Sequence, residues 1–221
     1  VVLGHALRAD VTVALGALKP CHLIGEGAAW SGHVVLADLG IVLSHSWQTL
    51  DAPGELRAEA TAHKFTRGLA LVVGGAMPGA ARLAAGAASR AGAGYVVLGT
   101  SDGGHGPLDT IVARKIVEAA DFARFIAERT VDAVCIGPGL GRDDRAGALL
   151  DAAIASDLRL VIDGDALTLM GETAARRLAT RSAPTVLTPH GGEFARMFGT
   201  GDGSKIDRTL DAARKTGAIV V

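Results

Sequence analysis

From about Leu69 to the last residue, short apolar runs that end in glycine or a polar turn alternate with segments of helical periodicity. The runs are "LALVVGG", "GYVVLGT", "VDAVCIGPGLG", "LRLVIDGDAL", "APTVLTPH" and "TGAIVV", and helical patterns such as "PGAARLAAGAASRAG" and "RDDRAGALLDAAIAS" lie between them. Continuous apolar runs separated by helices are typical of a parallel sheet covered on both faces. The sequence therefore predicts a three-layer α/β/α domain with a mostly parallel sheet.

Composition and charge narrow the class of protein. The 221 residues include 30 glycines and only 4% aromatic residues, which favours a core of small aliphatic side chains and many tight turns. The formal net charge is −1 and the charges are scattered, so neither a nucleic-acid-binding face nor a basic membrane patch is indicated. Cys21 and Cys135 are interpreted as buried thiols of a reducing compartment. We therefore expect a cytoplasmic protein without nucleic-acid or membrane partners.

The first 45 residues have a different pattern. The stretch "RADVTVALGALKPCHLIGEGAAWSGHVVLADLGI" contains two apolar strands joined by a Lys-Pro turn and a glycine-rich connection. Two strands are too few to bury a core, so we interpret residues 1–45 as the tail of a larger domain. Residues 46–62 are predicted to be a linker, and residues 63–221 to form the main domain, truncated at its C-terminal end.

Three glycines, Gly137, Gly139 and Gly141, lie between a predicted strand and a predicted helix in "IGPGLGRDD". Glycines at such a turn allow a ligand to approach the backbone, and the free N–H groups of the following helix favour anions. The spacing matches neither a Walker loop nor a Rossmann fingerprint. A ligand-contacting turn and a purely structural turn are equally consistent with this spacing.

Two further strand ends carry polar side chains. In "VIDGDAL", Asp163 and Asp165 could contact a magnesium ion or a hydroxyl group, or Asp165 could cap the next helix. In "TPHGGEF", His190 could hydrogen-bond an amide, ribose or phosphate oxygen, whereas Glu193 is favoured in a first helical turn whatever the function. Open α/β sheets bind ligands at the carboxyl ends of their strands, so these residues indicate an enzyme that handles phosphates or nucleotides.

Five motifs in a fixed order resemble the NAD(P)H-hydrate dehydratase family: "HKFTRG", "GGAMPGAARLAAGAASRAGAGYVV", "VCIGPGLGRDD", "VIDGDAL" and "LTPHGGEFARMFG". The resemblance covers about residues 55–221 and implies a ribokinase-like fold. The leading segment resembles the closing strands of the Rossmann-like NAD(P)H-hydrate epimerase domain. The chain thus resembles an internal fragment of a bifunctional protein.

The resemblance implies repair of damaged nicotinamide cofactor. The implied reaction is the ADP-dependent or ATP-dependent dehydration of (S)-NAD(P)H-hydrate to NAD(P)H, in which the ring hydroxyl is phosphorylated and phosphate is then eliminated. The parent protein would also epimerise the hydrate. The implied ligands are the hydrate, ADP or ATP as phosphoryl donor, Mg²⁺, and K⁺ for the epimerase half, and a homo-oligomer is expected.

The family's substrate-binding motifs match residues at the predicted strand ends. The resemblance carries substrate contact to Ala81, Gly139, His190, Gly191, Gly192, Glu193 and Arg196, and adds Gly137, Gly141 and Asp163 beside them. The family's Lys-Gly-x-x-Thr motif, and the Gly-x-Gly-Asp motif that supplies the expected catalytic base, do not occur in these 221 residues. We therefore name no catalytic residue and no metal ligand, and we expect the catalytic Asp beyond Val221.

Two alternative hypotheses also fit the sequence. One is a ribokinase-like kinase of a small molecule, for example a vitamin precursor such as hydroxyethylthiazole, which would release a stable phosphorylated product. The other is a binding-only fragment, because the glycine-rich loop that carries the expected base is missing. For residues 1–221 alone we expect little or no turnover.

Overall fold

The computed structural model describes residues 4–42, 60–64 and 66–221. The chain divides into two compact units, Val1–Arg57 and Ala58–Val221. The linker predicted over residues 46–62 lies almost entirely outside the described residues. The assignment of the two units to an epimerase-like tail and a dehydratase domain stays a prediction at this point.

The first unit is a small parallel α/β element. It consists of β1 (Val11–Leu15), α1 (Pro20–Leu23), α2 (Gly25–Ser31) and β2 (His33–Ala37), and its two strands pair in parallel. The two predicted strands are present, but two short helices replace the predicted turn and glycine-rich connection. Gly27 lets these helices meet, because a Cβ there would lie 2.7 Å from the Cys21 carbonyl oxygen. Cys21 is exposed, so its interpretation as a buried thiol is wrong.

The second unit is the predicted three-layer domain. Its strands are β3 (Leu69–Val73), β4 (Tyr95–Thr100), β5 (Ile111–Lys115), β6 (Ala133–Ile136), β7 (Arg159–Ile162), β8 (Thr185–Leu187) and β9 (Ile219–Val220). Its helices are α3 (Pro78–Arg90), α4 (Ala119–Glu128), α5 (Asp144–Ala155), α6 (Gly164–Met170), α7 (Ala174–Leu178), α8 (Gly191–Phe198) and α9 (Lys205–Thr216), with a 3₁₀ turn at Gly171–Thr173. All seven strands are parallel, which confirms the predicted sheet.

The sequence patterns do not predict two of these elements, β5 and α4. Strand β5 lies at one edge of the sheet and ends in Arg114 and Lys115, so it lacks the continuous apolar run of an inner strand. Helix α4 begins without a usual N-cap side chain. Instead, the Asp121 carboxylate accepts the backbone N–H of Glu118 at 3.2 Å, and the helix buries Phe122 completely.

Alternating residues of the inner strands face two separate apolar layers. Leu71 and Val73 belong to the cluster beneath α4 to α7, whereas Val72 packs with Ala81 and Ala85 of α3 on the opposite face. Side chains of a strand point alternately to its two faces, so the two clusters require a sheet covered on both sides. Within the described residues, no helix is both long and apolar enough to cross a bilayer.

The order of the strands creates a crevice at one end of the sheet. The order is β5-β4-β3-β6-β7-β8-β9, so the chain moves outward from β3 in one direction and then returns to the other side of β3 through β6. Strands β3 and β6 therefore flank the point where the direction of winding reverses. In open parallel sheets the carboxyl end of such a pair is where ligands bind.

Arg181, just beyond α7, closes the end of α5. Its Nη1 donates to the carbonyl oxygens of Ser156, at 2.7 Å, and of Ile154, while Nη2 donates to that of Leu158 at 2.6 Å. Its Nε donates to Thr185 Oγ1 at 3.1 Å. Burial lowers the pKa of Arg181 from its ordinary value, while Asp157 opposes the shift. One guanidinium thus satisfies carbonyl groups that the end of a helix leaves without partners.

Replacing Arg181 with Met should lower the free energy of unfolding by about 2–4 kcal/mol, because several carbonyl groups lose a charged donor. Arg181→Lys should fall between Met and wild type, since one ammonium group cannot reproduce the planar fork. Urea unfolding followed by circular dichroism measures the change. Arg124→Met on the exposed face of α4 is the control and should leave stability unchanged. Equal stability of the two Met variants would contradict the role given to Arg181.

Candidate functional site

The turn after β3 and the turn after β6 meet at the crevice. The backbone N–H of Met77 donates to the Gly139 carbonyl at 2.9 Å, and that of Ala76 donates to the Leu140 carbonyl at 3.3 Å. A Cβ on Gly75 would clash with the Leu140 backbone, and one on Gly139 would clash with the Met77 carbonyl. The two turns are therefore joined backbone to backbone, which only glycine permits at these points.

The three glycines of the turn after β6 all have positive φ angles, of 121° at Gly137, 64° at Gly139 and 91° at Gly141. A Cβ on Gly137 would clash with the Asp163 carbonyl, whereas one on Gly141 would meet only Ala76 Cβ, at 3.3 Å. Packing and backbone conformation thus require these glycines without reference to a ligand. The structural alternative is therefore sufficient to explain them.

Asp165 does not cap α6; the N-cap position belongs to Asp163, whose side chain makes no capping bond. The Asp165 carboxylate instead turns toward the glycine turn, where Oδ2 accepts the Gly141 N–H at 3.0 Å and Oδ1 accepts Arg142 Nε at 2.7 Å. Asp165 is only 8% exposed. The capping alternative is therefore wrong, and Arg142 is a residue that sequence reasoning missed.

Asp163 connects the carboxyl ends of β7 and β8. Its Oδ1 accepts the hydroxyl of Thr188 at 2.8 Å, and its backbone N–H donates to the Ile136 carbonyl at 3.1 Å. Burial raises the pKa of the neighbouring Cys135 thiol to about 11, and the charge of Asp163 adds to that effect. Thr188 was visible in the sequence only as the polar residue directly after a strand.

His190 is the N-cap of α8. Its Nδ1 accepts the backbone N–H groups of Gly192 at 3.0 Å and Glu193 at 3.4 Å, and Glu193 Oε2 accepts the His190 N–H at 3.0 Å. This reciprocal pair is a capping box. It agrees with the structural role expected of Glu193, which is 6% exposed, and gives His190 a structural role that the sequence did not indicate. The imidazole remains 68% exposed, with Nε2 3.3 Å from Glu193 Oε1.

The remaining residues of this segment present a positive charge near the start of α8. Gly191, Gly192 and Arg196 are exposed. A Cβ built on Gly192 would lie 3.7 Å from Arg196 Nη1, so the guanidinium folds back toward the first turn of the helix. An anion approaching this helix would therefore meet the Arg196 cation and the positive end of the helix dipole, while the Gly192 and Glu193 N–H groups already donate to His190.

Ala81 lines a cleft of about 340 Å³ at the carboxyl ends of β3 and β4. It is 1% exposed, so it can offer a ligand little more than its backbone. The cleft also contains Arg82 and Asp102, which the sequence patterns did not single out. The Gly104 N–H, then the Thr100 side chain, lower the pKa of the Asp102 carboxyl.

The motif "HKFTRG" lies at the other end of the sheet. Lys64 lines a cleft of about 530 Å³ with Leu69 and Tyr95, the first residues of β3 and β4. Arg67 packs against Gly92 and Gly94, just before β4. The structure thus separates these two cations from the carboxyl-end crevice. Within the described part of the chain, no group of three or more His, Cys, Asp or Glu side chains is placed to hold a metal ion.

The crevice therefore combines four kinds of group at the carboxyl ends of the strands. These are helix-start N–H groups, a rigid glycine turn, exposed arginines and the half-buried carboxylate of Asp163. Backbone donors and arginines suit phosphate oxygens, and a carboxylate suits a hydroxyl group or a divalent cation. Hydrogen bonds join Met77 to Gly139 and Asp163 to Thr188, which lies two residues before His190.

Comparisons with known proteins identify the family. The NAD(P)H-hydrate dehydratase family model matches residues 70–221. The bifunctional NAD(P)H-hydrate repair enzyme Nnr of Mycobacterium tuberculosis is 35% identical over 236 residues, which covers 100% of this chain and 46% of that enzyme. The chain thus spans about half the length of this curated relative.

Solved structures agree with the fold. The crystal structure of the ADP/ATP-dependent NAD(P)H-hydrate dehydratase of Bacillus subtilis, co-crystallised with ATP and Mg²⁺, is 30% identical with a TM-score of 0.60, covering 75% of this chain and 61% of that one. A ribokinase-like superfamily protein of Enterococcus faecalis, 24% identical, also has a TM-score of 0.60 over 75% of this chain and 60% of that one, and shows the fold alone. The ribokinase-like fold is confirmed, and the chain belongs to the NAD(P)H-hydrate dehydratase family.

Proposed function

We propose that the protein is an ADP-dependent or ATP-dependent dehydratase that restores NAD(P)H from (S)-NAD(P)H-hydrate. The observation that carries this proposal is the family match over residues 70–221, which includes both turns that meet at the crevice and all of the sheet except the first residue of β3. The Mycobacterium tuberculosis relative is described as bifunctional and extends well beyond the matched region. We therefore propose that the full-length protein also epimerises the hydrate.

The chemistry of the crevice supports this reaction. The hydroxyl group of the hydrated ring is a poor leaving group, because it would depart as hydroxide. Transfer of a phosphoryl group from ADP or ATP to this hydroxyl converts it into a good leaving group. Phosphate then leaves while the neighbouring ring carbon loses a proton, and the double bond of the reduced ring is restored. Both ligands are anionic nucleotides, and positioning with electrostatic stabilisation is what phosphoryl transfer needs most from a protein.

Contacts with the hydrate are proposed at the residues that the family motifs mark. The backbone of Ala81 and the outer face of the turn at Gly139 would meet the substrate at the crevice. The imidazole of His190 and the guanidinium of Arg196 would meet it at the start of α8, where both are exposed. Each proposed contact is supported by the position of its residue near the carboxyl end of a strand.

Asp163 fits a role toward Mg²⁺. One carboxylate oxygen is held by Thr188, and no hydrogen bond to a described residue occupies the other. Mg²⁺ commonly takes only one or two protein carboxylates and completes its shell with water and substrate phosphates. When bound, the ion would neutralise charge on the transferred phosphoryl group. A requirement for K⁺ in the epimerase half, a homo-oligomer and a cytoplasmic location stay predictions.

The experiment that tests the function uses the full-length protein, purified NADH-hydrate, and ADP or ATP. We expect reduced nicotinamide to reappear with stoichiometric release of phosphate and of the nucleotide that has lost one phosphoryl group. Lack of NADH with either nucleotide would refute the proposal, and accumulation of a stable phosphorylated small molecule would favour a kinase instead. Residues 1–221 assayed alone should show little or no turnover, and robust dehydration would contradict that expectation.

Gly139→Ala should separate the two turns, because its Cβ would meet the Met77 carbonyl at a positive φ angle. We expect a loss of about 1–3 kcal/mol in unfolding free energy. The dehydration rate, measured at a temperature at which the variant is fully folded, should also fall. Gly147→Ala in α5 is the matched control, since a Cβ there meets nothing within 4 Å. That variant should gain up to about 1 kcal/mol and keep full activity. Normal turnover of folded Gly139→Ala would argue against a role for this turn.

Two substitutions separate the structural role of His190 from ligand binding. His190→Ala should cost about 1 kcal/mol through loss of the cap, whereas His190→Asn should keep the cap and most of the stability. If the imidazole contacts the hydrate, both variants should raise KM for the hydrate. Ser204→Ala, which removes the N-cap of α9, is the control and should change stability alone. An unchanged KM in His190→Asn would restrict His190 to capping.

A further inference from the structure

A buried carboxylate holds the end of the glycine turn. Asp165 is 8% exposed, and both of its oxygens are occupied, Oδ2 by the Gly141 N–H and Oδ1 by Arg142 Nε. Asp165 lies after β7 while Arg142 lies after β6, so the bond joins two adjacent strand ends. A buried charge of this kind is stable only when it is paired and hydrogen-bonded. The pair fixes both the turn and the arginine.

The arginine itself is only partly used by this pair. The Arg142 side chain is 61% exposed, and its one hydrogen bond to the described residues is made through Nε. The two Nη groups therefore face solvent with four N–H donors. An arginine that is held at Nε loses little further freedom when its Nη groups bind a planar or tetrahedral anion.

The neighbouring charges do not occupy these donors. Asp143 caps α5 by accepting the Ala146 N–H at 2.9 Å, and its other oxygen lies 3.9 Å from Arg145 Nε. Arg145 in turn donates from Nη2 to the Leu140 carbonyl at 3.1 Å. The Arg145 guanidinium is thus already bonded to the turn. Arg142 is the cation at this turn whose terminal groups have no partner among the described residues.

We propose that Asp165 and Arg142 form a phosphate-binding device at the end of the glycine turn. Asp165 is a positioning residue that holds Arg142 and the Gly141 N–H, and the Nη groups of Arg142 contact a phosphate group. The inference rests on the proposed function, which supplies two ligands of this chemistry, the nucleoside phosphate donor and the diphosphate of the hydrated dinucleotide. A bidentate contact of this kind would also orient the ligand across the crevice.

The test measures binding and turnover separately in the full-length protein. Calorimetric titrations with ADP and, independently, with NADH-hydrate distinguish the two sources of phosphate. The variants are Arg142→Gln, Arg142→Lys, Asp165→Asn and the double variant Arg142→Gln/Asp165→Asn, with Arg124→Gln on α4 as the control. Tm is recorded for each, because Asp165 also holds the turn.

We expect Arg142→Gln to weaken binding of one of the two ligands about 10- to 100-fold, as loss of a charged hydrogen-bonding pair does. Its Tm should also fall, because the buried Asp165 carboxylate loses its charged partner, so binding is compared at a temperature at which every variant is folded. Arg142→Lys should weaken the same ligand less. Asp165→Asn should weaken it as well, and the double variant should bind no worse than Arg142→Gln alone, because Asp165 acts through Arg142. Arg124→Gln should bind both ligands as wild type does.

Wild-type affinity of Arg142→Gln for both ligands would overturn the proposal, and so would a wild-type protein that binds neither. Normal affinity of Asp165→Asn beside a weakened Arg142→Gln would refute the positioning role. If Asp165→Asn does not fold, the two Arg142 variants still decide whether the arginine contacts phosphate. Ligand binding that depends on Arg142 without any dehydration by the wild type would refute the proposed function and leave the phosphate contact standing.

Discussion

The contact between the turns after β3 and β6 is the interaction on which the candidate site depends. It is made almost wholly by backbone, through the bonds of Met77 to Gly139 and of Ala76 to Leu140. Helix α3 starts directly after the first turn and α5 shortly after the second. Their N-termini are therefore placed relative to each other by this one contact. A crevice built in this way is rigid before any ligand arrives, which is how a protein avoids ordering costs at binding.

The same residues serve both the fold and the proposed chemistry. His190 caps α8 while its imidazole stays exposed, and Asp165 holds the glycine turn while it fixes Arg142. Such double use means that loss of activity in a variant does not by itself identify a ligand contact. Conservative replacements that keep one role and remove the other are needed to tell them apart.

The sequence predicts the sheet well, because its inner strands depend on local patterns, and it marks the strand ends at which the candidate site is proposed. Apolar runs identify the inner strands, and the polar residues that end "VID" and "VLT", Asp163 and Thr188, mark strand ends. It does not predict β5, whose edge position removes the apolar signal, or the pair of Asp165 with Arg142. That pair joins residues 23 apart in sequence, and no periodicity encodes which of two neighbouring carboxylates turns inward. His190 is likewise an unusual N-cap residue, so propensity gave no indication of its structural role.

The position of β3 in the sheet also has a consequence for how the chain reaches this structure. Leu69, at the start of β3, donates to the Asp132 carboxylate beside β6, and 63 residues separate the two in sequence. Strand β4 is much nearer in the chain, so we expect β3 and β4 to pair first. During synthesis the free side of β3 would then stay unpaired until β6 has left the ribosome. An open strand edge invites pairing with other chains. The strand that completes the crevice is thus also the one whose late arrival leaves the nascent protein most prone to aggregate.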